Sequence, residues 1–485
     1  MRKIIYILML VLPLSSCAGW LSVESTDRIM EDKLYEDREG FYTALNGVYI
    51  DLVKTSLYSG TFGPSVPDIL AQYYDTSADS HVNGSLAQYQ AEAKRLAVSD
   101  TWTRTYFLIL NINKIIEQAD ARKGSVLGDM DYNLIKGEAL GLRALLHFEL
   151  FRYFAPSYSS APAAKAIPYA TSSDPQVYPV LKSSEVALKL LEDLGEAMKL
   201  LGESDPVITD GKRETDNGGR NLYNYRHLRM NMFAVKALAA RINMYLGYNY
   251  RAEALRLAEE VIRDASKFFP FSTRDEVSGQ AAVGAATASA QDRVLSSDIL
   301  FSVYNVKRGE DIHEQLFSNT LEVKQLLSMS DNGYRNLYPE EGDLRTCQWQ
   351  RKKDALGNDI MCMVKYEAME VDGKSYPYMI PVLRMSEMYL IAAECYADTD
   401  EAKAYERLNV LRNARQTSSV DGSLALHIEG EYMREFLGEG QLFWYYKRNN
   451  QMALTALYDR SRPAVTMDQS YYIFELPQSE DGFRD

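Results

Sequence analysis

Apolar residues recur at helical spacing along most of the chain, and the pattern is clearest over Pro381–Gln416. Met388, Ile391 and Cys395 fall on one face of a first predicted helix, and a break at 397–400 precedes a second one. Two antiparallel helices joined by a short loop form a hairpin, and a lone hairpin cannot bury its apolar stripe. The pattern therefore predicts an array of such hairpins.

A second helical hairpin is predicted over Leu228–Ala265, where the spacing of small residues resembles a tetratricopeptide repeat. Further scaffold helices are predicted at 100–120, 131–154, 183–201 and 429–449, and a separate one at 39–52. The scaffold then holds about eight helices. The predicted fold class is mainly α, with about four tetratricopeptide-like helix pairs.

The longest interruption of the helical pattern runs from about residue 271 to 380. Within it, 299–303 alternates like a short strand, and 346–366 has the pattern of a β-hairpin. We expect one domain over 34–485 with this stretch as a large irregular insertion. The segment 59–99 lacks a long period and is predicted to be an extended surface segment. Insertions on a rigid scaffold are where binding surfaces usually lie.

Three cysteines, Cys347, Cys362 and Cys395, follow the N-terminal region. In the simplest register of the predicted hairpin Cys362 faces Gln350, and the Cys347 side chain lies on the opposite face. A disulfide between the two would require a bulge. Cys395 fits a small buried apolar position in its helix.

The N-terminus has the pattern of an export signal. Arg2 and Lys3 precede an apolar run, 4–14, that is too short to span a bilayer. The following Leu-Ser-Ser-Cys17 is similar to a bacterial lipobox, in which the cysteine is lipidated and becomes the mature N-terminus. We expect 1–16 to be a signal peptide and 17–33 a lipidated tether. An ordinary secretory signal with an incidental cysteine is the alternative.

Composition and charge exclude some functions. The net charge is −14, which argues against nucleic acid or an anionic membrane surface as the ligand. The five histidines lie more than 60 residues apart, so none forms a local metal pair. Motifs for a nucleophile elbow, a phosphate loop or a dinucleotide fold are missing from the sequence. We expect no enzyme activity, cofactor or metal.

Three glutamates near the inner faces of helices invite an acid–base interpretation, namely Glu138, Glu387 and Glu394. Paired glycosidase carboxylates would need such positions. Arg143 follows Glu138 on its helix, and Arg384 lies three residues before Glu387, a spacing that brings side chains together. We therefore expect these carboxylates to be paired with arginines inside the array.

The motifs taken together resemble the SusD/RagB family, outer-membrane lipoproteins of Bacteroidetes that partner a SusC-like TonB-dependent transporter. The resemblance rests on the lipobox and on the Gly-Glu-Ala and Leu-Arg-Ala steps within 136–154. Four further blocks carry it, at 237–247, 298–303, 384–394 and 434–448. The family's Ile-Pro-rich ending is only partly kept at 473–480. The resemblance implies a surface-exposed, lipid-anchored protein of the outer membrane without catalytic activity.

The same resemblance implies capture of an extracellular nutrient, with a glycan or oligosaccharide expected, for import through the transporter. A peptide-capturing member of the family and a surface glycoside hydrolase are the alternatives. Ligand residues in such proteins lie in variable insertions, so exposed aromatic residues there are the candidates. The candidates in the two insertions are Tyr73, Tyr74, His81, Asn83, Tyr334, Tyr338 and Trp349, and Trp349 is the first choice for a stacking platform.

Overall fold

The computed structural model describes residues 33–215, 222–279 and 291–480. Helices dominate, as predicted, and strands are few and short. The helices, numbered along the chain, are α1 (Arg38–Leu52), α2 (Val66–Leu70), α3 (Gly84–Ala87), α4 (Ala91–Ala97), α5 (Ser99–Arg122), α6 (Asp129–Phe154), α7 (Ser183–Ser204), α8 (Val207–Asp210), α9 (Met232–Leu246), α10 (Arg251–Ala265), α11 (Arg274–Ser278), α12 (Glu314–Leu316), α13 (Asp331–Leu337), α14 (Met385–Tyr396), α15 (Glu401–Ala414), α16 (Leu424–Glu435) and α17 (Leu442–Arg448).

The long helices form a continuous array. Each contacts the next in the order α5, α6, α7, α9, α10, α14 and α15, and α16 packs on the last two. The two predicted hairpins are α9–α10 and α14–α15, and they lie side by side through α10 and α14. The prediction of a helix-pair scaffold is confirmed.

Helix α6 lies between α5 and α7, and almost every one of its residues from Tyr132 onward is buried. Asp129 and Asp131 lie in its first turn, where their negative charges interact favourably with the positive end of the helix dipole and stabilise the helix. At Gly137 a Cβ atom would lie 2.7 Å from the side chain of Leu201 on α7, so only glycine permits this helix spacing. The helix predicted at 131–154 from its apolar spacing is therefore present, and it is a helix of the core.

The strands form three two-stranded antiparallel sheets within the described chain. These strands are β1 (Ile299–Tyr304), β2 (Trp349–Lys353), β3 (Asp359–Met363), β4 (Met379–Arg384), β5 (Ala453–Leu454) and β6 (Val465–Thr466); β1 pairs with β4, β2 with β3 and β5 with β6. The predicted strand and hairpin are confirmed, and Gln350 pairs with Cys362 as expected. Cys347, Cys362 and Cys395 are all free thiols.

Three predicted boundaries are wrong. The first helix of the Pro381–Gln416 hairpin begins only at Met385, because the preceding residues form β4. The segment 59–99 is not extended but folds into α2, α3 and α4, and most of its first half is buried. The helix predicted at 429–449 is broken between α16 and α17.

The break between α16 and α17 depends on a residue far away in the sequence. Gly438 and Gly440 have φ values of +76° and +68°, a region that favours glycine. Their backbone N–H groups donate to the buried carboxylate of Asp68, at 2.6 and 3.1 Å. A Cβ atom on Gly440 would also lie 2.5 Å from the carbonyl oxygen of Gly63. Local periodicity carries no information on these contacts.

The three glutamates are paired with arginines, as predicted, but the partners are not their helix neighbours. Glu138 contacts Arg226 and Arg229, while Glu387 binds Arg241 at 2.6 Å. Glu394 forms an ion pair with Arg448 at 2.6 Å. Arginine side chains are long enough to reach across the array. A glutamate can therefore pair with an arginine from another part of the chain instead of one on its own helix.

Helix α6 also carries a buried histidine that links stability to pH. The Nε2 atom of His147 accepts a hydrogen bond from the backbone N–H of Ala170 at 3.0 Å, and its Nδ1 lies 2.9 Å from the carbonyl oxygen of Arg143. Its ring stacks on Tyr169 with centroids 3.8 Å apart. Burial lowers the pKa of His147 to about 3.

Acidification should therefore destabilise the protein through His147. Between pH 6.5 and about 3 the unfolded chain binds a proton that the folded chain does not, so stability falls as the pH falls. At pH 5 the loss is about 2 kcal/mol relative to neutral pH. Urea unfolding at pH 7 and pH 5 measures this loss of stability. In His147→Gln, the difference in the free energy of unfolding between the two pH values should be smaller than in the parent by about 2 kcal/mol. An equal pH dependence in both proteins would contradict this.

In the described part of the chain, no helix is both long and apolar enough to cross a membrane. The predicted signal peptide and the predicted lipidation site, Cys17, lie outside the described residues.

Candidate functional site

An open cleft of about 1060 Å³ lies beside the scaffold. Its walls come from four parts of the chain: helix α1, the segment 222–229, the end of β1, and the loop 370–378 that precedes β4. Two of these walls belong to the predicted insertion. The cleft is lined by Asn46, Tyr49, Ile50, Asn224, Tyr225, Leu228, Arg229, Tyr304, Glu370, Val371, Asp372, Gly373, Lys374, Ser375 and Tyr378.

Tyrosine rings provide the apolar surface of the cleft. Antiparallel pairing of Tyr304 with Met379 brings Tyr304 close to Tyr378, and their ring centroids are 5.3 Å apart at 58°. The Tyr304 side chain is 40% exposed. Burial, together with the Tyr378 and Tyr225 hydroxyls, raises its pKa, so the phenol stays neutral at physiological pH. The cleft therefore offers uncharged aromatic faces with polar tips.

Tyr225 reaches the cleft through an unusual backbone conformation. Its φ of +48° is rare for a bulky residue. The next residue, Arg226, is fully buried and fixes the segment: its Nε donates to Asp205 at 2.9 Å, and its Nη1 donates to the carbonyl oxygen of Leu222 at 2.7 Å. Strained residues held by their surroundings are concentrated at binding sites. The geometry thus marks Tyr225 as a functional candidate.

Buried polar atoms without a protein partner lie beside these rings. Asn224 and Arg229 are almost fully buried, yet Asn224 Oδ1 and Arg229 Nη2 have no hydrogen-bond partner among the described residues. The rest of the Arg229 guanidinium donates to Glu138 at 3.0 Å and to Asn46 at 2.9 Å. Each unpaired atom costs free energy unless a ligand or water satisfies it. Both residues line the cleft, so these polar atoms lie beneath its surface.

A buried histidine, His227, lies behind the cleft wall and outside its lining. The Nε2 atom of His227 lies 3.2 Å from the Ser375 hydroxyl, and its Nδ1 is buried without a partner among the described residues. Burial lowers the pKa of His227 to about 3, with a smaller contribution from Lys212. The imidazole is therefore neutral and serves as a hydrogen-bonding group.

Charges at the cleft do not favour an anionic ligand. Glu370, Asp372 and Lys374 are exposed on the rim loop. The charge of Arg229 is compensated by Glu138, with which it forms an ion pair. The surface is thus polar and aromatic with a slight excess of acidic groups. Residues 33–215, 222–279 and 291–480 contain no group of three His, Cys, Asp or Glu side chains that could hold a metal ion.

The seven sequence-predicted ligand residues lie elsewhere. Tyr73 and Tyr74 are buried, and the Tyr73 hydroxyl donates to the carbonyl oxygen of Met433 at 2.7 Å. His81 is buried, and its Nε2 atom lies 3.3 Å from the carbonyl oxygen of Leu326. Asn83, beside it, is half-buried. The expected exposure is wrong for the first three residues, because the first insertion packs along the second.

The other three predicted residues form one cluster. Tyr334 lies 5.6 Å from Tyr338 and 6.3 Å from Trp349, measured between ring centroids. Trp349 is only 6% exposed, since β2 turns its ring inward, and Tyr338 is buried as well. Their expected exposure is wrong, and Tyr334 is half-buried. Ligand contact by any of the seven stays a prediction, and none of them lines the cleft.

Sequence reasoning missed the residues that do line the cleft. The stretch 223–225, Tyr-Asn-Tyr, lies at the end of a turn-rich loop and is the signal that could have been used. Tyr49 lies within α1 and Tyr304 ends β1, and an aromatic residue in a regular element is ordinarily interpreted as part of the packing. The loop residue Tyr378 was placed in the insertion but not in a site.

Two family models cover most of the chain. Residues 43–210 match the model described as "Starch-binding associating with outer membrane", and residues 288–478 match the SusD family model, SusD_RagB. The chain belongs to the SusD/RagB family. The predicted family is therefore confirmed. The helical array of this chain is in keeping with the fold that the resemblance to SusD/RagB proteins implied.

Solved structures share this SusD/RagB fold. A SusD superfamily protein from Bacteroides thetaiotaomicron has a TM-score of 0.69 at 21% identity, covering 92% of this chain and 98% of that one. A SusD-like carbohydrate binding protein from Bacteroides vulgatus has the same TM-score at 18% identity, covering 92% and 96%. A SusD superfamily protein from Bacteroides fragilis gives 0.64 at 19% identity, covering 93% and 99%. No curated protein matches the chain.

Proposed function

We propose that this SusD/RagB protein is a non-catalytic surface lipoprotein that binds an uncharged glycan in the cleft. The glycan is then passed to a SusC-like TonB-dependent transporter for import. The observation that carries the proposal is the combination of tyrosine rings with polar side chains in the lining of one open cleft. The starch-binding description of the family model supports the choice of a carbohydrate.

The chemistry of a sugar suits this surface. A pyranose has an apolar face of C–H groups and a rim of hydroxyls, which both donate and accept hydrogen bonds. Tyr225, Tyr304 and Tyr378 provide faces for the first, while polar residues of the lining such as Asn46, Lys374 and Ser375 provide hydrogen-bonding groups for the second. The acidic rim disfavours glycans rich in carboxylates or sulfates. A neutral oligosaccharide is the best match.

The arrangement gives little support for hydrolysis. The buried carboxylate behind the cleft, Glu138, is held by two arginines and by the Tyr49 hydroxyl. A general acid must reach the glycosidic oxygen of a bound sugar, whereas Glu138 is fully buried and does not line the cleft. We infer binding without turnover. Release of reducing sugar by the purified protein would overturn this inference.

The ligand can be identified by screening the purified protein, residues 33–485, on a glycan array and against a peptide library. We expect neutral glycans to bind and peptides not to bind. Selective retention of peptides would replace the glycan by a peptide cargo and reject the proposal. The identified ligand then serves in the variant tests.

Removing one aromatic face should weaken glycan binding without unfolding the protein. Tyr304→Ala and Tyr225→Ala are each expected to cost about 1–3 kcal/mol, a loss of roughly 5- to 150-fold in affinity. Isothermal titration with the selected glycan measures this loss. Tyr248→Ala is the matched control, because Tyr248 is 79% exposed and lies outside the cleft. Equal affinity of all three variants and the parent would remove the tyrosines from the site.

The proposed membrane attachment depends on Cys17. Cys17→Ala should abolish acylation and release the protein from the outer-membrane fraction, since the preceding apolar run is too short to span a bilayer. Fractionation after a high-salt wash, followed by immunoblotting, measures this. If the variant still pellets with the outer membrane, the lipobox interpretation is wrong.

A further inference from the structure

A second open groove, of about 440 Å³, lies between the first turns of α5 and the chain that follows α1. It is lined by Ser56, Asp100, Thr103, Arg104 and Phe107. None of these residues lines the cleft. The groove is therefore a separate concave surface.

The groove carries an exposed aromatic ring among polar side chains. Phe107 is 49% exposed, and the guanidinium carbon of Arg104 lies 5.9 Å from the centroid of its ring. Asp100 and Thr103, one and two turns before the ring on α5, are exposed as well. An apolar face surrounded by hydrogen-bonding groups suits a pyranose ring, as in the cleft.

Arg104 connects the groove with helix α1. Its Nη1 lies 3.9 Å from Oδ2 of Asp51, and both side chains are partly exposed. This distance is too long for a hydrogen bond. A sugar hydroxyl between the two side chains would accept a hydrogen bond from the guanidinium and donate one to the carboxylate. The edge of the groove therefore suits a neutral ligand rich in hydroxyls.

The cleft and the groove lie on two flanks of α1. Ile50 lines the cleft, and the next residue, Asp51, contacts Arg104 of the groove. Successive residues of an α-helix lie about 100° apart around its axis, so these two side chains leave α1 in different directions. Ile50 is 65% exposed and provides an apolar surface at this point. A chain of sugar units that leaves the cleft over Ile50 therefore arrives at the groove.

A glycine occupies the surface of α1 between the two sites. Gly47 lies three residues before Ile50 and four before Asp51, and residues at these spacings are neighbours on a helix surface. Gly47 is exposed, and a Cβ atom there would meet nothing within 4 Å. Glycine inside a helix is less stable than alanine. The packing of α1 therefore does not require this glycine, whereas a low path between the cleft and the groove does.

We propose that the groove is a second sugar subsite, which takes the outer units of the same neutral, linear oligosaccharide after the chain has crossed α1 from the cleft. Phe107 stacks on one sugar ring, and Asp51 and Arg104 bind its hydroxyls. The inference rests on the function proposed for the cleft and adds a chain length to it: the ligand extends beyond the cleft.

Isothermal titration of the purified protein with oligosaccharides of increasing length tests the subsite. The probes are the malto-, cello-, manno-, xylo- and fructo-oligosaccharide series, from disaccharides to octasaccharides. In a series that binds, Phe107→Ala should lower the affinity for the longest chain roughly 5- to 10-fold and leave that for the shortest binding chain unchanged. Tyr248→Ala is the control, because Tyr248 is exposed and lies outside both the cleft and the groove.

Gly47→Gln tests the path across α1. The added side chain should obstruct the crossing and lower the affinity for the longest chain several-fold, while Tm rises because glutamine favours a helix. Gly195→Gln is the matched control, since Gly195 is also exposed inside a helix, α7, and a Cβ atom there would also meet nothing within 4 Å. Its Tm should rise as well, with the affinity for every chain length unchanged.

The results separate this subsite from the function proposed for the cleft. Equal affinity of Phe107→Ala and the parent for all chain lengths would overturn the subsite, and Tyr304→Ala would still report on the cleft. The same fractional loss for short and long chains would overturn it too, as would full long-chain affinity in Gly47→Gln. Failure of the parent to bind any of these series would also reject it, because the subsite requires a linear neutral chain. The glycan array then decides on the cleft.

Discussion

Glu435→Ala is expected to lower the free energy of unfolding by about 3–5 kcal/mol, since the substitution leaves buried arginines without their carboxylate. Glu435 is 1% exposed and contacts Arg345, Arg384 and Arg415. Burial alone would raise its pKa, but Arg415 and Arg384 lower the pKa of Glu435 well below its ordinary value. The carboxylate is therefore fully charged at neutral pH and is the centre of this ionic cluster.

Urea unfolding at pH 7 measures the effect of Glu435→Ala. Glu196→Ala is the control, because Glu196 is exposed in the middle of α7, and it should change stability by less than about 0.5 kcal/mol. A loss below 1 kcal/mol for Glu435→Ala would show that the arginines find other partners.

Glu138→Ala is expected to cost a similar amount, about 3–5 kcal/mol, and also to weaken ligand binding. Glu138 is fully buried and pairs with Arg226 and Arg229, and it accepts a hydrogen bond from Tyr49 at 2.8 Å. Arg226 holds the segment of Tyr225, so the same carboxylate stabilises the core and positions the cleft. The two effects should therefore appear together.

Thermal unfolding and glycan titration of Glu138→Ala test this coupling. Glu138→Gln keeps the shape of the side chain, so its Tm and its glycan affinity should lie between those of the parent and those of the alanine variant. A Glu138→Ala protein with unchanged Tm and lost glycan binding would make the residue a ligand contact. Unchanged Tm with unchanged binding would contradict the coupling altogether.

Local periodicity was enough to predict the scaffold. Helix α6, the α9–α10 hairpin and the β2–β3 hairpin all follow from patterns within a few turns of sequence. The break before α17 could not be predicted in this way, because it depends on Asp68, about 370 residues from the glycines that it binds.

The candidate site was harder to predict for the same physical reason. Its walls come from α1, the segment 222–229, β1 and the loop 370–378, so sequence order conceals their proximity. Tyr304 and Tyr378, both within the predicted insertion, line the cleft, whereas the expected exposure of Trp349 is wrong. Ligand binding by aromatic residues of the insertions stays a prediction. Whether an insertion's aromatic ring faces solvent or core is decided by packing between insertions. That packing is a long-range property.

A crystal structure of the protein with the glycan selected by the array tests most directly whether the cleft holds the captured glycan. We expect sugar rings against Tyr225, Tyr304 and Tyr378, with sugar hydroxyls bound to polar side chains of the cleft wall. Glycan density at another surface, with the cleft filled only by solvent, would contradict it.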